Sequence, residues 1–406
     1  MRVVAAVVAA LVVAATMLLT LRLVGGRITA VAAGLLAATL GASPFVESFT
    51  LSGELLASLP AVLSLLCFCI YLEGRRARWL LLAGALTGCA VLVKQSAFDA
   101  GLAAVAFLLW RERRRGLAPA GALVASALVP VAIAAASAAK LHEWLYAVVG
   151  YRFHGDSLLT GSVSARIHQL WLSLPPAAKA LGLLAVLAAI GWRRSPLLAR
   201  LWLGAALLGV LGGGNFHPHY YLQLGPPLAV LGAVGLRRLW LARRRPALTA
   251  ALAGAAASLA LALPVALASP GEQAEEIWPH DPHLVHDGAL ARYVRAHTRA
   301  RDPILAIWAD ADLYYLANRR PAVRYLWARN VESVPGALGD VQRALAFRRA
   351  RLVLVVQPLG TIDPTGRTAR LILRGYDRVA SIRGVDVYRS KSQKHTRATR
   401  SPAAAT

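Results

Sequence analysis

Three short stretches hold the residues best suited to chemistry. The first is Gly212-Gly213-Gly214-Asn215-Phe216-His217-Pro218-His219-Tyr220-Tyr221-Leu222-Gln223-Leu224-Gly225-Pro226-Pro227. Three glycines end an apolar run, two histidines flank a proline, and two tyrosines and a glutamine lead into the next run. Tyrosines at a membrane interface are common anchors. Combined with His219, whose ring can donate to a phosphate oxygen, and with Pro226-Pro227, which are expected to break the helix, they read as a built site. The second stretch, residues 43–54, carries Glu47 and Glu54 seven residues apart. On a helix that spacing places both on one face. Either carboxylate suits proton removal from a hydroxyl, and Glu54 suits it better because apolar sequence follows immediately; the plainer alternative is two solvated interfacial acids. The third, Val93-Lys94-Gln95-Ser96-Ala97-Phe98-Asp99, joins two apolar runs. Lys94 and Asp99 either close the turn as a mutual ion pair, or Lys94 meets an anionic lipid phosphate.

These residues must be positioned by membrane helices. Hydrophobic residues make up 57% of the 406 and charged residues 16%, a balance that excludes an ordinary soluble enzyme. Ten apolar runs are expected to span a bilayer: Val3–Leu21, Ile28–Val46, Leu51–Leu72, Trp79–Val93, Ala97–Trp110, Leu117–Ala139, Ala177–Trp192, Leu197–Leu211, Tyr221–Leu236 and Ala247–Ala268. The net charge of +25 would suggest nucleic acid in a soluble protein. Here about half of the basic residues lie in short clusters beside apolar runs, so they read as topology signals and no nucleic-acid partner is expected. Arginine clusters at 75–78, 111–115, 193–194 and 237–245 fall on one side when ten spans alternate, and that side is expected to be cytoplasmic. Glu47, Glu54, Lys94, Asp99, the 140–176 loop, the His217–Tyr221 segment and everything after Ser269 then fall outside. Alternation also places Met1 outside, which leads to the expectation that the natural chain has a further span and outer loop before it.

The expected domains are a multi-span membrane domain at 1–269, an extracytoplasmic α/β domain at 270–390 and a disordered basic tail at 391–406. Seven of the 20 acidic residues precede residue 270 and thirteen follow it. In the second domain, helices are expected near Asp287–Thr298 and Leu338–Arg349, strands at Ile304–Trp308 and Leu352–Val356, and a hairpin from Tyr376–Ile382 and Val385–Tyr388, in a mixed or parallel sheet. No metal site is expected. Cys67 and Cys69 point to opposite faces of a helix and Cys89 lies in another span, so apolar packing is expected. The cluster His280, Asp281, His283, His286 and Asp287 reads as a linker, and Asp310-x-Asp312 as a helix cap. Arginine and alanine dominance suggests a GC-rich bacterial source.

The order Ser-Pro-Phe followed by Ser-Gly-Glu-Leu-Leu, then Val-Leu-Val-Lys-Gln-Ser, then His-Pro-His-Tyr-Tyr-Leu-Gln-Leu-Gly-Pro-Pro-Leu-Ala resembles the GT-C superfamily of membrane glycosyltransferases. The similar branch is that of the protein O-mannosyltransferases and the lipid A aminoarabinose transferase, glycosyltransferase family 39-like. The resemblance covers roughly residues 1–270. It implies an α-helical polytopic protein of the bacterial cell membrane that moves a hexosyl or pentosyl group from a polyprenyl-phosphate donor to a glycan, lipid or protein acceptor on the outer face. It implies Lys94, His219 and Tyr220 as donor-phosphate ligands, Glu54 or Glu47 as catalytic carboxylate, Asp99, His217 and Gln223 as supporting residues, and no cofactor. The family's principal catalytic acidic residue lies in a first outer loop between the first two spans, and here no such loop precedes the span at Val3. Two other readings accompany this one: a polytopic transporter or lipid flippase, and a non-catalytic truncated homologue.

Overall fold

The computed structural model describes residues 2–150, 162–277, 282–309 and 311–391. It divides into two compact units, Met1–Ile277 and Trp278–Thr406. All ten apolar runs of the first unit are helical at their centres: α1 (Arg2–Leu23), α2 (Arg27–Gly41), α3 (Gly53–Gly74), α4 (Ala77–Val93), α5 (Asp99–Glu112), α6 (Leu117–Ser137), then after a short amphipathic α7 (Leu141–Val148), α8 (Val163–Gly191), α9 (Leu197–Gly213), α10 (Gly225–Leu241) and α11 (Arg245–Leu267). Among the described residues, five helical stretches are long and apolar enough to cross a bilayer, and three shorter apolar helices accompany them. A final α12 (Pro270–Ile277) starts on a capping box, in which Ser269 N donates to Glu272 and Glu272 N to Ser269 Oγ.

Lipid offers no hydrophobic force between helices, so close packing of small residues must do that work. Two pairs show it. A side chain at Gly84 or Gly88 of α4 would lie 2.2 Å or 2.1 Å from the Leu123 or Ala127 carbonyl of α6. A Cβ at Gly235 of α10 would lie 2.0 Å from the Leu187 carbonyl of α8. Alanine at any of these positions would push two backbones apart.

Three run ends depart from the apolar pattern, and all three bear on chemistry. The second run stops being α-helical at Gly41; Pro44–Val46 forms one 3₁₀ turn and Glu47 takes a left-handed conformation (φ 52°). Residues Pro218–Leu224 are 3₁₀ helix, and α10 begins only at Gly225. Pro226-Pro227 therefore start a helix instead of breaking one, because a first turn leaves its N–H groups unbonded and proline has none to lose. The seventh run extends back from Ala177 to Val163 through Pro175 and Pro176.

The second unit has a four-stranded sheet, β1 (Ile304–Ile307), β2 (Leu352–Val355), β3 (Tyr376–Ile382) and β4 (Val385–Ser390), in the order β1-β2-β4-β3. β1 and β2 are parallel, and the other two pairings antiparallel. Both faces are covered, as the mixed sheet expected from strand and helix alternation requires. Ile304, Leu352, Leu354 and Val387 pack with Leu290 and Val294 of α13 (Pro282–His297) and Leu313 of α14 (Ala311–Ala317). Leu305, Ile307 and Val353 pack on the other side with Val331 of α15 (Ala328–Ser333), Val341 and Leu345 of α16 (Ala337–Ala346) and Ile372 of α17 (Arg367–Gly375). The tail expected to be disordered lies, from residue 392, outside the described residues.

Candidate active site

Helix ends and the two 3₁₀ turns deliver polar groups to one end of the helical bundle. Ser52 caps α3, accepting from Leu55 N at 3.2 Å, so Glu54 stands in the first turn where the helix dipole favours a negative charge. It is 4% exposed. Lys94 caps the end of α4 in an extended conformation, which turns its chain back toward α3. Its Nζ donates to Glu54 Oε1 and stands 3.9 Å from the centroid of the Tyr220 ring. The His219 ring packs edge-on against that same phenol at 5.1 Å, and His219 Nδ1 pairs with Glu47 Oε2 at 2.8 Å. Glu54, Lys94, Tyr220, His219 and Glu47 thus form one arc, with a carboxylate at each end and donors in the middle. His217 stacks on His219 with ring planes 5° apart.

Asp99 opens α5 and is 2% exposed. The mutual Lys94–Asp99 ion pair considered for this turn does not form, because Lys94 is held by Glu54. Asp99 accepts instead from neutral donors: Trp202 Nε1 at 2.6 Å and Gln223 Nε2 at 3.0 Å. Gln223 Nε2 also donates to the Ser96 carbonyl at 2.9 Å, which ties the Lys94 turn to the histidine segment. Gly209 leaves the room for this tie, since a Cβ there would lie 2.5 Å from both Gln223 Nε2 and the Ser96 oxygen. Glu54, Lys94, Asp99, Trp202, Gln223 and Pro226 line one cleft of about 10 Å³, room for about one water while the ion pair is closed.

The structure therefore brings Glu47, Glu54, Lys94, Asp99, His217, His219, Tyr220 and Gln223 together from the three separate stretches 43–54, 93–99 and 212–227. Sequence reading passed over three neighbours. Trp202 lies in an apolar helix where tryptophan is ordinary, and nothing local marks its N–H as bonded. Ser173 bonds the Tyr221 hydroxyl at 2.6 Å. Lys179 places Nζ 5.1 Å from the centre of the Phe45 ring, and a lysine within an apolar run was a legible cue.

Cys67 and Cys69 are buried in the helical core. Among the described residues no group of three or more His, Cys, Asp and Glu is placed to hold a metal ion. His280, Asp281 and Asp310 lie outside the described residues, and so does the side chain of His283.

The other end of the bundle carries the arginine turns. Arg22 pairs with Glu73 and Arg75 with Glu112, both at 2.7 Å, while Arg238 donates to the Ile190 carbonyl.

The family model for dolichyl-phosphate-mannose-protein mannosyltransferases matches residues 1–139. No curated protein sequence matches the chain significantly. Among solved structures the fold is similar to ArnT from Cupriavidus metallidurans bound to undecaprenyl phosphate, with a TM-score of 0.60 at 14% identity over 97% of this chain and 84% of that one. A weaker similarity is to the Archaeoglobus fulgidus oligosaccharyltransferase, with a TM-score of 0.47 at 15% identity over 86% of this chain and 55% of that one. At such identities the fold is what is shared. The family model covers about a third of the chain, and the fold is ArnT-like, mostly helical with several apolar helices and a small sheet domain at its C-terminus.

Proposed function

Taking the GT-C membrane glycosyltransferase fold as premise, we propose that this chain transfers a sugar from a polyprenyl-phosphate carrier to an acceptor hydroxyl or amine on the outer face of the cytoplasmic membrane. The observation that carries the reading is the arc itself: Lys94 and His219 meet on the Tyr220 ring between two carboxylates. A phosphate leaving group gathers negative charge as the bond to the sugar breaks, and an ammonium with an imidazole donor stabilises that charge. A carboxylate beside the sugar carbon takes the acceptor proton.

The resting ion pair sets the order of events. Lys94 has given its charge to Glu54, so an incoming lipid phosphate must draw it away. That exchange frees the Glu54 carboxylate from its cation at the moment a donor is present. Glu54 then accepts the acceptor proton, the acceptor atom bonds to the anomeric carbon, and the carbon–oxygen bond to phosphate breaks with its electron pair leaving on the lipid phosphate. Glu47 holds His219 through Nδ1, which presents the other ring nitrogen as a donor when the imidazole is protonated. Asp99, fixed by Trp202 and Gln223, holds the Lys94 turn in place.

Orientation follows from the arginine turns at the opposite end of the bundle, since basic loops are retained in the cytoplasm. The donor class is supported by the similar fold having been solved with undecaprenyl phosphate. The test is turnover by the purified full chain in lipid nanodiscs, given synthetic undecaprenyl-phosphate sugars and a panel of glycan, lipid and peptide acceptors, with released undecaprenyl phosphate as the readout. Release that depends on Lys94 and Glu54 is the expected result. No release with any donor, or release unchanged in Lys94→Ala, would overturn the assignment.

A further inference from the structure

A second cavity, of about 280 Å³, opens in the same unit between α1, the 41–49 segment, α11 and α12. That volume is close to the lower range of small-ligand sites. Its wall is apolar, built from residues such as Ala5, Ala9, Pro44, Phe49, Ala262 and Val265. Two polar side chains break it. Gln273, 7% exposed, folds back from α12 so that its Nε2 donates to the Val265 and Ala266 carbonyls at 2.9 Å and 3.2 Å. Those carbonyls belong to the last turn of α11, where helical partners run out. With the amide nitrogen engaged, Gln273 Oε1 is left buried and has no partner among the described residues. The second, the Ser48 hydroxyl, already donates to the Ser43 carbonyl at 2.7 Å.

A buried acceptor without a donor is unfavourable and is relieved by a ligand that brings one. The geometry points to an amphiphile: an apolar chain in the cavity and a hydroxyl or amide N–H on Gln273 Oε1. We infer that this ligand is the acceptor, a membrane lipid bearing such a donor next to its chain. This rests on the transferase reading above. The acceptor fits better than the donor for two reasons. The phosphate ligands lie around the other cleft, and the two spaces share no lining residue. Yet one segment serves both: residues 41–49 wall the cavity, Glu47 pairs with His219, and five residues on from Phe49 stands Glu54. An acceptor anchored here presents its headgroup along the segment that carries both carboxylates.

Photolabelling tests this on the full chain in nanodiscs. The probe is hexadecanol with a mid-chain diazirine, and the control is the matching diazirine hydrocarbon, each mapped by mass spectrometry. The alcohol is expected to label peptides within residues 2–12 and 262–277, and to exceed the hydrocarbon by about fivefold, the ratio one neutral hydrogen bond supports. Gln273→Leu should remove that preference. Ala9→Trp, which fills the cavity from α1, should remove the labelling itself, and it keeps the test decisive if Gln273→Leu loosens the α11–α12 junction. Equal labelling by alcohol and hydrocarbon would overturn donor recognition. Displacement of the probe by undecaprenyl phosphate would assign the cavity to the donor chain and sink the acceptor proposal. Failure of the transferase reading registers separately, as absent sugar release with the labelling pattern intact.

Discussion

The two ends of the helical bundle both carry ion pairs, but they are built to different physical rules. At the arginine end, Arg22 and Glu73 are 51% and 49% exposed. Such pairs are screened by water and salt and contribute about 0–1 kcal/mol. At the other end, Lys94 and Glu54 are 22% and 3% exposed, and Asp99 is buried on two neutral donors without a cation. Buried charges impose a desolvation penalty that offsets their mutual attraction, so a stable fold alone gives no reason to keep them. The arginine end is consistent with a topological anchor. The opposite end retains charges whose burial makes sense if something charged comes to meet them.

The sharpest way to break this contrast is at Glu54. Glu54→Gln keeps the shape and removes the base, and kcat in the sugar-release assay should fall by about 10² to 10⁴. An unchanged kcat would make the pair structural and return the two ends to equality. Lys94→Ala should lower kcat/KM for the lipid donor by roughly tenfold to a hundredfold, as expected for one charge-assisted hydrogen bond of about 1.5–3 kcal/mol.

Trp202→Phe sharpens the comparison further, since it keeps the ring and deletes only the N–H that Asp99 accepts. Its effect should be about tenfold, the lower end for a hydrogen bond to a charged group. It should appear in the KM for donor as well as in kcat, because Asp99 and Gln223 together hold the turn that carries Lys94. A uniform loss of folded protein with unchanged kinetics would make Trp202 a packing residue.

The sheet unit supplies a third case, a buried carboxylate satisfied wholly by neutral donors. Asp363 accepts from Thr368 N at 2.6 Å and Thr368 Oγ1 at 2.7 Å, from both donors of Thr365, and from Gln342 Nε2 at 3.2 Å. Burial pushes its pKa up, but the bonds from Thr365 and Thr368 outweigh that and hold it at about 2, below the ordinary 3.8. A carboxyl depressed in the folded state stabilises the fold above its unfolded pKa, and that stability is lost as pH falls from about 4 toward 2. Asp363→Asn should therefore destabilise this unit by about 1–2 kcal/mol at neutral pH and flatten its acid sensitivity. Hydrogen exchange of residues 337–391 in the intact protein between pH 3 and 7 reads both. The smallest effect belongs to the arginine end: Arg22→Ala should change thermal stability by less than about 1 kcal/mol and leave sugar release unaltered.

Much of this architecture was open to reading because it rests on composition and period. Apolar runs have only the helix available in a bilayer, where every backbone group must bond within its own segment. The α/β unit was legible for a related reason: Ile304–Ile307 and Leu352–Val355 are short apolar runs, half β-branched and buried on both faces, as parallel strands covered by helices are. Run ends were less legible. Whether Pro226 breaks a helix or begins one depends on where the preceding 3₁₀ turn stops, and Glu47 adopts its left-handed backbone in a loop with no glycine to announce it.

Residue types, their order and the arginine asymmetry follow from local chemistry, so the chain carries in its own order which side chains are available and, by the arginine rule, toward which end of the bundle each lies. Which of them touch is a matter of contacts between residues far apart in the chain, 40 positions for Lys94 and Glu54, 103 for Asp99 and Trp202, 172 for Glu47 and His219. No local propensity encodes such pairings. They are set by helix crossings that Gly84, Gly88, Gly191 and Gly235 permit, and only the packed bundle converts seven-residue spacing and an isolated lysine into an arc around one tyrosine.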